Sequence, residues 1–338
     1  MTFAQILAPD FDLEKTLDSG QVFHWQKIGK AFWGTIGQLP LSVEQQANAL
    51  KIHSAAMELD RLKRSSSEGA RNVKARRELE EVVAHYFSLD HPLAEICAAF
   101  PRDPAMTGAR NFCRGLRIIR QPHWECLATF ITSSMKQVAH IRHISLTLRK
   151  RYGESKQTLG HQVFTFPSAE RIAELTEQDL RACALGYRAK NLRATARLVA
   201  GGEANLEAWS TLPNDALRSQ LCDLPGVGPK VANCVMLFAY ERLRAFPIDV
   251  WIERVLRQQY FPRKRKVTAQ QLRDFCDRYF GDHGGYAQQY LFHHARKGAR
   301  QKARKPGQVV SPGDLRYDSP VKRSTPLPRN ERRKETKP

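Results

Sequence analysis

A lysine beside a glycine-rich turn is the residue of this chain best placed for covalent chemistry. The turn contains Gly226 and Gly228, which permit positive φ angles and let the backbone approach a ligand closely. Pro229 suits the first position of a new helix, so the turn would present free backbone N–H groups at a helix N-terminus, an arrangement that binds phosphate. Lys230 follows at once. The positive end of a helix dipole disfavours an ammonium ion, and the neutral amine is the form that acts as a nucleophile.

An aspartate lies nineteen residues beyond this lysine. Asp249 precedes the helical run Val250–Leu256, and a carboxylate at a helix start is stabilised and stays ionised. Taken singly, each feature has a plainer interpretation: a tight turn, a phosphate-binding Lys230 or an N-capping Asp249. Together, in this order and spacing, they favour a nucleophilic amine with an ionised carboxylate available to it.

The elements that must position these residues change character along the chain. Two β-prone aromatic runs, Gln21–Gln26 and Ala31–Ile36, flank a glycine turn and predict a hairpin. Shorter strands are predicted at Leu41–Glu44 and Leu50–His53, and the polar stretch 61–77 is predicted to be a loop that merges into a helix. From about residue 76 the apolar residues recur at helical spacing. The predicted helices span 92–100, 104–116, 122–135, 138–152, 168–174, 176–184, 188–200, 214–221, 229–241, 249–260, 268–280 and 286–297.

The charge of the chain points to a polyanionic partner. Its 338 residues include 54 Lys and Arg against 34 Asp and Glu, a net charge of +20, and nucleic acid is the first candidate. Residues 295–338 hold 14 Lys and Arg, 4 Asp and Glu and several prolines. This composition predicts a disordered basic tail, which would add salt-sensitive affinity for DNA.

Several classes of protein and site are disfavoured. No apolar stretch is long enough to span a membrane, and the N-terminal residues lack the basic region of a secretory signal. The seven cysteines are scattered with no CxxC pair, which argues against a zinc site, an iron–sulfur cluster and a disulfide framework. We therefore expect an intracellular protein, in the cytoplasm or nucleoid of a bacterium or the nucleus of a eukaryote.

Motifs along most of the chain resemble the 8-oxoguanine DNA glycosylases with associated AP-lyase activity, within the helix-hairpin-helix (HhH-GPD) superfamily. The turn at Leu224–Gly228 and Asp249 match the superfamily's hairpin loop and aspartate. The resemblance covers about residues 5–297 and leaves the tail outside. The other matching segments are, in order, Ser19–Trp25, Tyr86–Asp90, Leu116–Pro122, Glu125–Cys126, Phe130–Ser134, Leu185–Ala189 and Tyr286–Phe292.

The resemblance implies an α+β fold in three parts. A β-rich N-terminal domain with a small antiparallel sheet and helices would occupy residues 1–115. An all-helical HhH-GPD domain would occupy 116–298, and the disordered basic tail would occupy 299–338. The active site would lie in the cleft between the first two parts.

The resemblance also implies a mechanism. Lys230 would attack C1′ of the damaged nucleotide, expel the base and form a Schiff base, and β-elimination would nick the strand on the 3′ side. Asp249 would stabilise positive charge on the sugar and help to deprotonate the amine. No cofactor and no catalytic metal would be needed. The partner would be double-stranded DNA containing oxidised guanine, bound by a monomer.

Four residues match the family's pocket for the damaged base. The carbonyl of Gly20 would accept the N7–H that guanine lacks, and Gln288 would bond the Watson–Crick edge. Phe292 and Cys234 would sandwich the ring. Without the resemblance, Gly20 would be a turn glycine, Gln288 a surface residue, and Phe292 and Cys234 core residues.

Further matches concern the DNA backbone. Gly226, Val227 and Gly228 of the turn would bind phosphate. The carbonyls of Cys222, Leu224 and Val227 match positions that hold a structural cation bridging to phosphate. A histidine that contacts phosphate in the family is Trp251 here, which can donate one hydrogen bond but has no charge.

The chain departs from the family where the opposite base is read. The wedge asparagine falls at Met135, and an arginine that reads the orphan cytosine falls at His140. Tyr187 and Arg188 match a wedging tyrosine and a second reading arginine. Because methionine has no good hydrogen-bond donor or acceptor, we predict a relaxed preference for the base opposite the lesion.

Two alternatives remain open at the level of sequence. One is a related glycosylase for another damaged base; Lys230 argues against monofunctional relatives, and the matches at Gly20, Gln288 and Phe292 argue for oxidised guanine. The other is a non-catalytic HhH DNA-binding protein. Phosphate binding alone requires neither Lys230 nor Asp249, so their presence argues against it.

Overall fold

A five-stranded antiparallel sheet forms the N-terminal part of the fold. The computed structural model of the chain describes residues 2–55, 68–134, 137–264 and 266–303. Two central strands each have four consecutive buried residues, 32–35 and 40–43, so both faces of the sheet are covered there. The strands, in the spatial order β1-β5-β4-β3-β2, are β1 (Thr2–Leu7), β2 (Gln26–Ile28), β3 (Ala31–Ile36), β4 (Leu39–Gln46) and β5 (Ala49–Ser54).

Helices make up most of the remaining described chain. A short antiparallel pair, β6 (Ser155–Thr158) and β7 (His161–Phe164), interrupts them and packs on the larger sheet. The helices are α1 (Leu13–Asp18), α2 (Glu68–Tyr86), α3 (Leu93–Ala98), α4 (Pro104–Phe112), α5 (His123–Ser133), α6 (Val138–Tyr152), α7 (Ala169–Glu174), α8 (Glu177–Arg181), α9 (Arg188–Ala200), α10 (Asn214–Asp223), α11 (Pro229–Phe238), α12 (Val250–Gln259), α13 (Ala269–Phe280) and α14 (Gly284–Ala303).

The predicted fold class is confirmed: an N-terminal antiparallel sheet is followed by a mostly helical region. One predicted strand is wrong, because in the run Gln21–Gln26 only Gln26 lies in β2. The Gln21 side chain instead donates to the Arg117 carbonyl oxygen (2.8 Å) and accepts the Ile119 N–H (2.8 Å). The segment is thus held by side-chain hydrogen bonds to a neighbouring loop rather than by a strand ladder.

A buried ion pair joins the sheet to the helices. Arg149 of α6 is bonded to the Glu125 carboxylate of α5, and both side chains are buried. The Arg149 guanidinium also donates to Thr35 Oγ1 in β3 and to the Phe164 carbonyl in β7, each at 3.0 Å. One cation therefore connects four elements from both parts of the fold.

Some predictions lie outside the described residues. These are the wedge residue Met135 and all of the tail beyond residue 303. The boundaries at 115 and 298 stay a prediction. The chain divides after Lys297, and the side chains that carry the site lie before this point. Among the helices in the described ranges, none is long and apolar enough to cross a membrane.

Candidate active site

Lys230 lies where α11 meets α5. It is the second residue of α11, directly after Pro229 in the first position, and Gly228 is the N-cap. Its Nζ donates to Ser133 Oγ over 3.4 Å and lies 5.2 Å from the ring centre of Phe130. The amine is therefore held on the α5 surface by one hydroxyl and one aromatic face.

Asp249 is the N-cap of α12. Its Oδ1 accepts the backbone N–H of Ile252 at 2.8 Å. Burial raises the pKa of this carboxyl above its ordinary value, although the backbone N–H bonds and the positive charge of Lys230 act in the opposite direction. The carboxylate is consequently a stronger proton acceptor than a free aspartate, and it senses the charge of the amine.

Cys234 lies one helical turn after Lys230 and is buried. Burial raises the pKa of its thiol to about 11, against the lowering effect of the Lys230 charge. The thiol is thus protonated at neutral pH and lies within hydrogen-bonding reach of the Lys230 amine.

Two residues of the predicted base pocket, Gly20 and Phe292, meet just after α1. Gly20 has φ +92°, and a Cβ on it would lie 3.0 Å from Cε1 of Phe292, so the structure requires glycine both for its backbone angle and for its closeness to this ring. Gln288, one turn before Phe292 in α14, is 4% exposed. Its Oε1 has no hydrogen-bond partner among the described residues. A buried amide oxygen without a partner is costly, so it is suited to accept a bond from a ligand.

The hairpin turn is fixed against α9. Gly226 has φ +84°, and a Cβ there would lie 2.8 Å from Cβ of Asn191. Thr195 Oγ1 donates to the Pro225 carbonyl at 2.9 Å. A Cβ on Gly228 would meet nothing within 4 Å, so the turn is open in front of the α11 N-terminus.

The predicted cation ligands lie at the end of α10. Val227 is buried, and its N–H donates to the Leu224 carbonyl at 3.1 Å. That oxygen keeps one lone pair, and the cation site formed with the Cys222 and Val227 carbonyls stays a prediction. In the described part of the chain no three His, Cys, Asp or Glu side chains are grouped so that they could hold a metal.

The residues predicted to read the opposite base differ in how far they are exposed. Tyr187 is 58% exposed, whereas Arg188 is 4% exposed. The Arg188 guanidinium lies 4.4 Å from the Tyr187 ring centre, and its Nε donates to the Ser134 carbonyl at 2.8 Å. Arg188 is thus engaged with the end of α5, while His140 is exposed on α6. Trp251, in the first turn of α12, is half-buried with Arg254 5.5 Å from its ring.

Phe130, Ser133 and Asn191 are contacts that sequence reasoning missed. The first two lie within the matching segment Phe130–Ser134, and their i, i+3 spacing places them on one helix face. That spacing was an available signal. Nothing in the sequence indicates that Asn191 lies against Gly226.

Two family models match the chain in succession. The 8-oxoguanine DNA glycosylase N-terminal domain matches residues 5–127. The HhH-GPD superfamily of base excision DNA repair proteins matches residues 128–278. The chain belongs to the 8-oxoguanine DNA glycosylase family of the HhH-GPD superfamily.

Relatives of this family member cover most of its length. A probable N-glycosylase/DNA lyase of Methanothermobacter thermautotrophicus is 27% identical and aligns over 85% of this chain and 94% of its own. The N-glycosylase/DNA lyase OGG1 of Arabidopsis thaliana is 26% identical, over 84% of this chain and 77% of its own. The 8-oxoguanine glycosylase/lyase of Clostridium acetobutylicum was solved with double-stranded DNA containing cytosine opposite 8-oxoguanine. It is 29% identical, with a TM-score of 0.76 over 86% of this chain and 93% of its own.

Proposed function

We propose that this chain is a bifunctional DNA glycosylase that excises 8-oxoguanine from duplex DNA and then nicks the strand. The observation that carries the proposal is a primary amine, Lys230, held against Ser133 and Phe130 at the start of α11, together with the half-buried N-cap carboxylate of Asp249, which interacts with its charge. The named activities of the relatives support the same chemistry. Neither residue would be needed by a protein that only binds phosphate.

The reaction follows from these two groups. The lone pair of the Lys230 amine forms a bond to C1′, and the C1′–N9 bond breaks with its electron pair leaving on the base, which takes up a proton. The Asp249 carboxylate stabilises the positive charge on the sugar and accepts the proton that the amine loses. Opening of the sugar ring gives an imine between Lys230 and C1′. Loss of a C2′ proton then expels the 3′ phosphate by β-elimination.

Recognition of the base uses the residues of the predicted base pocket. The lesion leaves the helix stack, and its N7–H donates to the Gly20 carbonyl, where guanine has only a lone pair. Gln288 Oε1 accepts a hydrogen bond from the Watson–Crick edge, which satisfies the oxygen that is otherwise unpaired. Phe292 supplies a ring face and Cys234 an apolar contact.

The preference for the opposite base is predicted to be relaxed. Met135 and His140 replace two polar readers, and Arg188 is bonded to the Ser134 carbonyl. Duplexes with 8-oxoguanine opposite each of the four bases are mixed with the protein and borohydride, which reduces the imine to a stable adduct. We expect trapping on all four duplexes at rates within about tenfold, since the contacts that would each discriminate between bases by about 1–3 kcal/mol are lost. A preference for cytosine of a hundredfold or more would contradict the prediction, and no trapping on any duplex would contradict the proposed function.

The pH dependence of excision should follow Asp249. Because burial raises the pKa of this carboxyl, the single-turnover rate is expected to fall on acidification with an inflection above about pH 4, the value for an ordinary aspartate. Cys234, with its pKa of about 11, does not titrate in this range. Base release is measured by alkaline strand cleavage without borohydride, with circular dichroism at each pH as a check of folding.

Asp249→Asn should lower the single-turnover rate of base release by about a hundredfold or more and remove the fall in rate on acidification. An Asn variant that keeps that fall in rate would contradict the assignment.

A further inference from the structure

Side chains of α14 form hydrogen bonds to the turn that contains Gly20. α1 ends at Asp18, and the last carbonyl groups of a helix have no partner within it. The Ser19 carbonyl accepts a hydrogen bond from Gln289 Nε2 at 2.9 Å, and the Asp18 carbonyl accepts one from the Arg296 guanidinium. These two side chains on α14 therefore bind two consecutive carbonyl groups directly before Gly20.

The same helix also binds the Asp18 side chain. Lys297 is bonded to one carboxylate oxygen, and Arg296 lies 3.8 Å from the other. Burial alone would raise the pKa of Asp18, but the bond from Lys297 and the charge of Arg296 bring it below its ordinary value. The carboxylate is thus ionised at neutral pH and adds charge attraction to the contact.

The contacts lie on the helix face that also carries the ring against Gly20. Gln289, Phe292 and Arg296 are spaced by three and four residues, so their side chains follow one stripe of α14. Gln289 is 2% exposed, Arg296 is 4% exposed, and both are therefore packed in place. A shift of α14 relative to the turn would move Phe292 and the Gly20 carbonyl together.

The other flank of Gly20 is anchored independently. Gln21 is fully buried, its side chain donates to Ser19 Oγ at 2.9 Å, and its carbonyl accepts a bond from Gln121 at 3.0 Å. Gly20 thus lies between two fixed residues. With φ at +92° and both neighbours held, the direction of its carbonyl is determined by these bonds.

We propose that Gln289 and Arg296 are positioning residues for lesion recognition, which hold the Asp18–Gly20 turn so that the Gly20 carbonyl faces the damaged base. The inference rests on the proposed function, because it takes that carbonyl as the acceptor for N7–H. It extends the proposed function to two side chains that do not touch the base. Gln289 controls the turn through one neutral hydrogen bond, so a change there tests geometry without removing a charge.

The test compares two substrates and two matched variants. Gln289→Met keeps an unbranched side chain of similar size but removes the donor to Ser19. Gln45→Met is the control, since Gln45 Nε2 donates to the Phe11 carbonyl at 2.6 Å and its Oε1 accepts the Leu13 N–H at the opposite end of α1. Borohydride trapping is followed under single-turnover conditions on a duplex with 8-oxoguanine and on the same duplex with a preformed abasic site, which carries no base to recognise.

We expect Gln289→Met to slow trapping on 8-oxoguanine about tenfold and trapping on the abasic site by less than about twofold, because a displaced acceptor affects only the step that reads the base. Gln45→Met should leave the ratio of the two rates unchanged. Equal slowing on both substrates, an unchanged rate on 8-oxoguanine, or the same change of ratio in the control would each overturn the proposal.

A second variant and the behaviour of the unmodified chain separate failure of the positioning role from failure of the proposed function. If Gln289→Met does not fold, Arg296→Lys tests the same contact, since lysine keeps the charge beside Asp18 but loses the guanidinium geometry. This variant should change the ratio of the trapping rates on the two substrates in the same direction. An unchanged ratio would overturn the proposal. Failure of the proposed function is seen in the unmodified chain, as trapping on neither substrate or on the abasic site alone. Failure of the positioning role is seen only when the unmodified chain traps both.

Discussion

Lys230→Gln is expected to abolish borohydride trapping and to lower base release by at least about a thousandfold, because the variant has no amine to form the bond to C1′. The substitution removes one long hydrogen bond to Ser133 Oγ and keeps an unbranched, uncharged stem at a half-buried position, so the fold should be preserved. Affinity for the lesion duplex is expected to stay within about tenfold. Single-turnover cleavage and fluorescence anisotropy measure the two quantities.

Lys190→Gln is the matched control for this variant. Lys190 is an exposed lysine on α9. It is adjacent to Asn191, which lies against Gly226 of the hairpin turn, but it has no part in the proposed chemistry. It should trap as the unmodified chain does once DNA is saturating. A Lys230→Gln protein that still forms an adduct on 8-oxoguanine would show that another amine is the nucleophile.

Glu125→Gln is expected to lower the free energy of unfolding by about 3–5 kcal/mol. The substitution leaves the Arg149 guanidinium buried without its counter-charge, and breaking a buried pair from one side has this cost. Because Arg149 also binds Thr35 and Phe164, the loss should destabilise the sheet and the helices together. Urea unfolding, followed by far-ultraviolet circular dichroism, measures the change.

Two comparisons separate this effect from a general cost of mutation. Glu125→Leu with Arg149→Met removes both charges and should be more stable than Glu125→Gln alone, since no uncompensated charge remains. Glu80→Gln breaks the half-exposed pair with Arg76 on α2 and should cost less than about 1 kcal/mol. A loss below about 1 kcal/mol for Glu125→Gln would contradict the role given to the buried pair.

The local elements near the reactive residues were predictable because their signals are local. Gly228, Pro229 and the N-capping Asp249 specify two helix starts through backbone angles and caps, and α11 and α12 begin there. Helices 138–152 and 188–200 have the predicted bounds because their apolar periodicity is regular and glycine follows each. Residue matches to a family then add roles to these positions.

The contacts that join distant segments could not be predicted in the same way. Gln21 lies in a β-prone run, but its side chain bonds to residues almost a hundred positions later, and this tertiary contact overrides the local propensity. The bond from Gln289 to Ser19 spans 270 residues and has no spacing that a single sequence reveals. β1 was not predicted, since its edge position leaves half of its residues exposed and weakens the apolar pattern.

The most direct test of the central claim is to locate the trapped DNA on the chain. After reduction with borohydride on the 8-oxoguanine duplex, the adduct is digested with nuclease and trypsin and analysed by mass spectrometry. Trypsin does not cleave at a modified lysine, so we predict one adduct peptide, Ser219–Arg242, uncut at Lys230 and carrying the reduced sugar remnant. A remnant on any other peptide, with Lys230 cleaved normally, would contradict it.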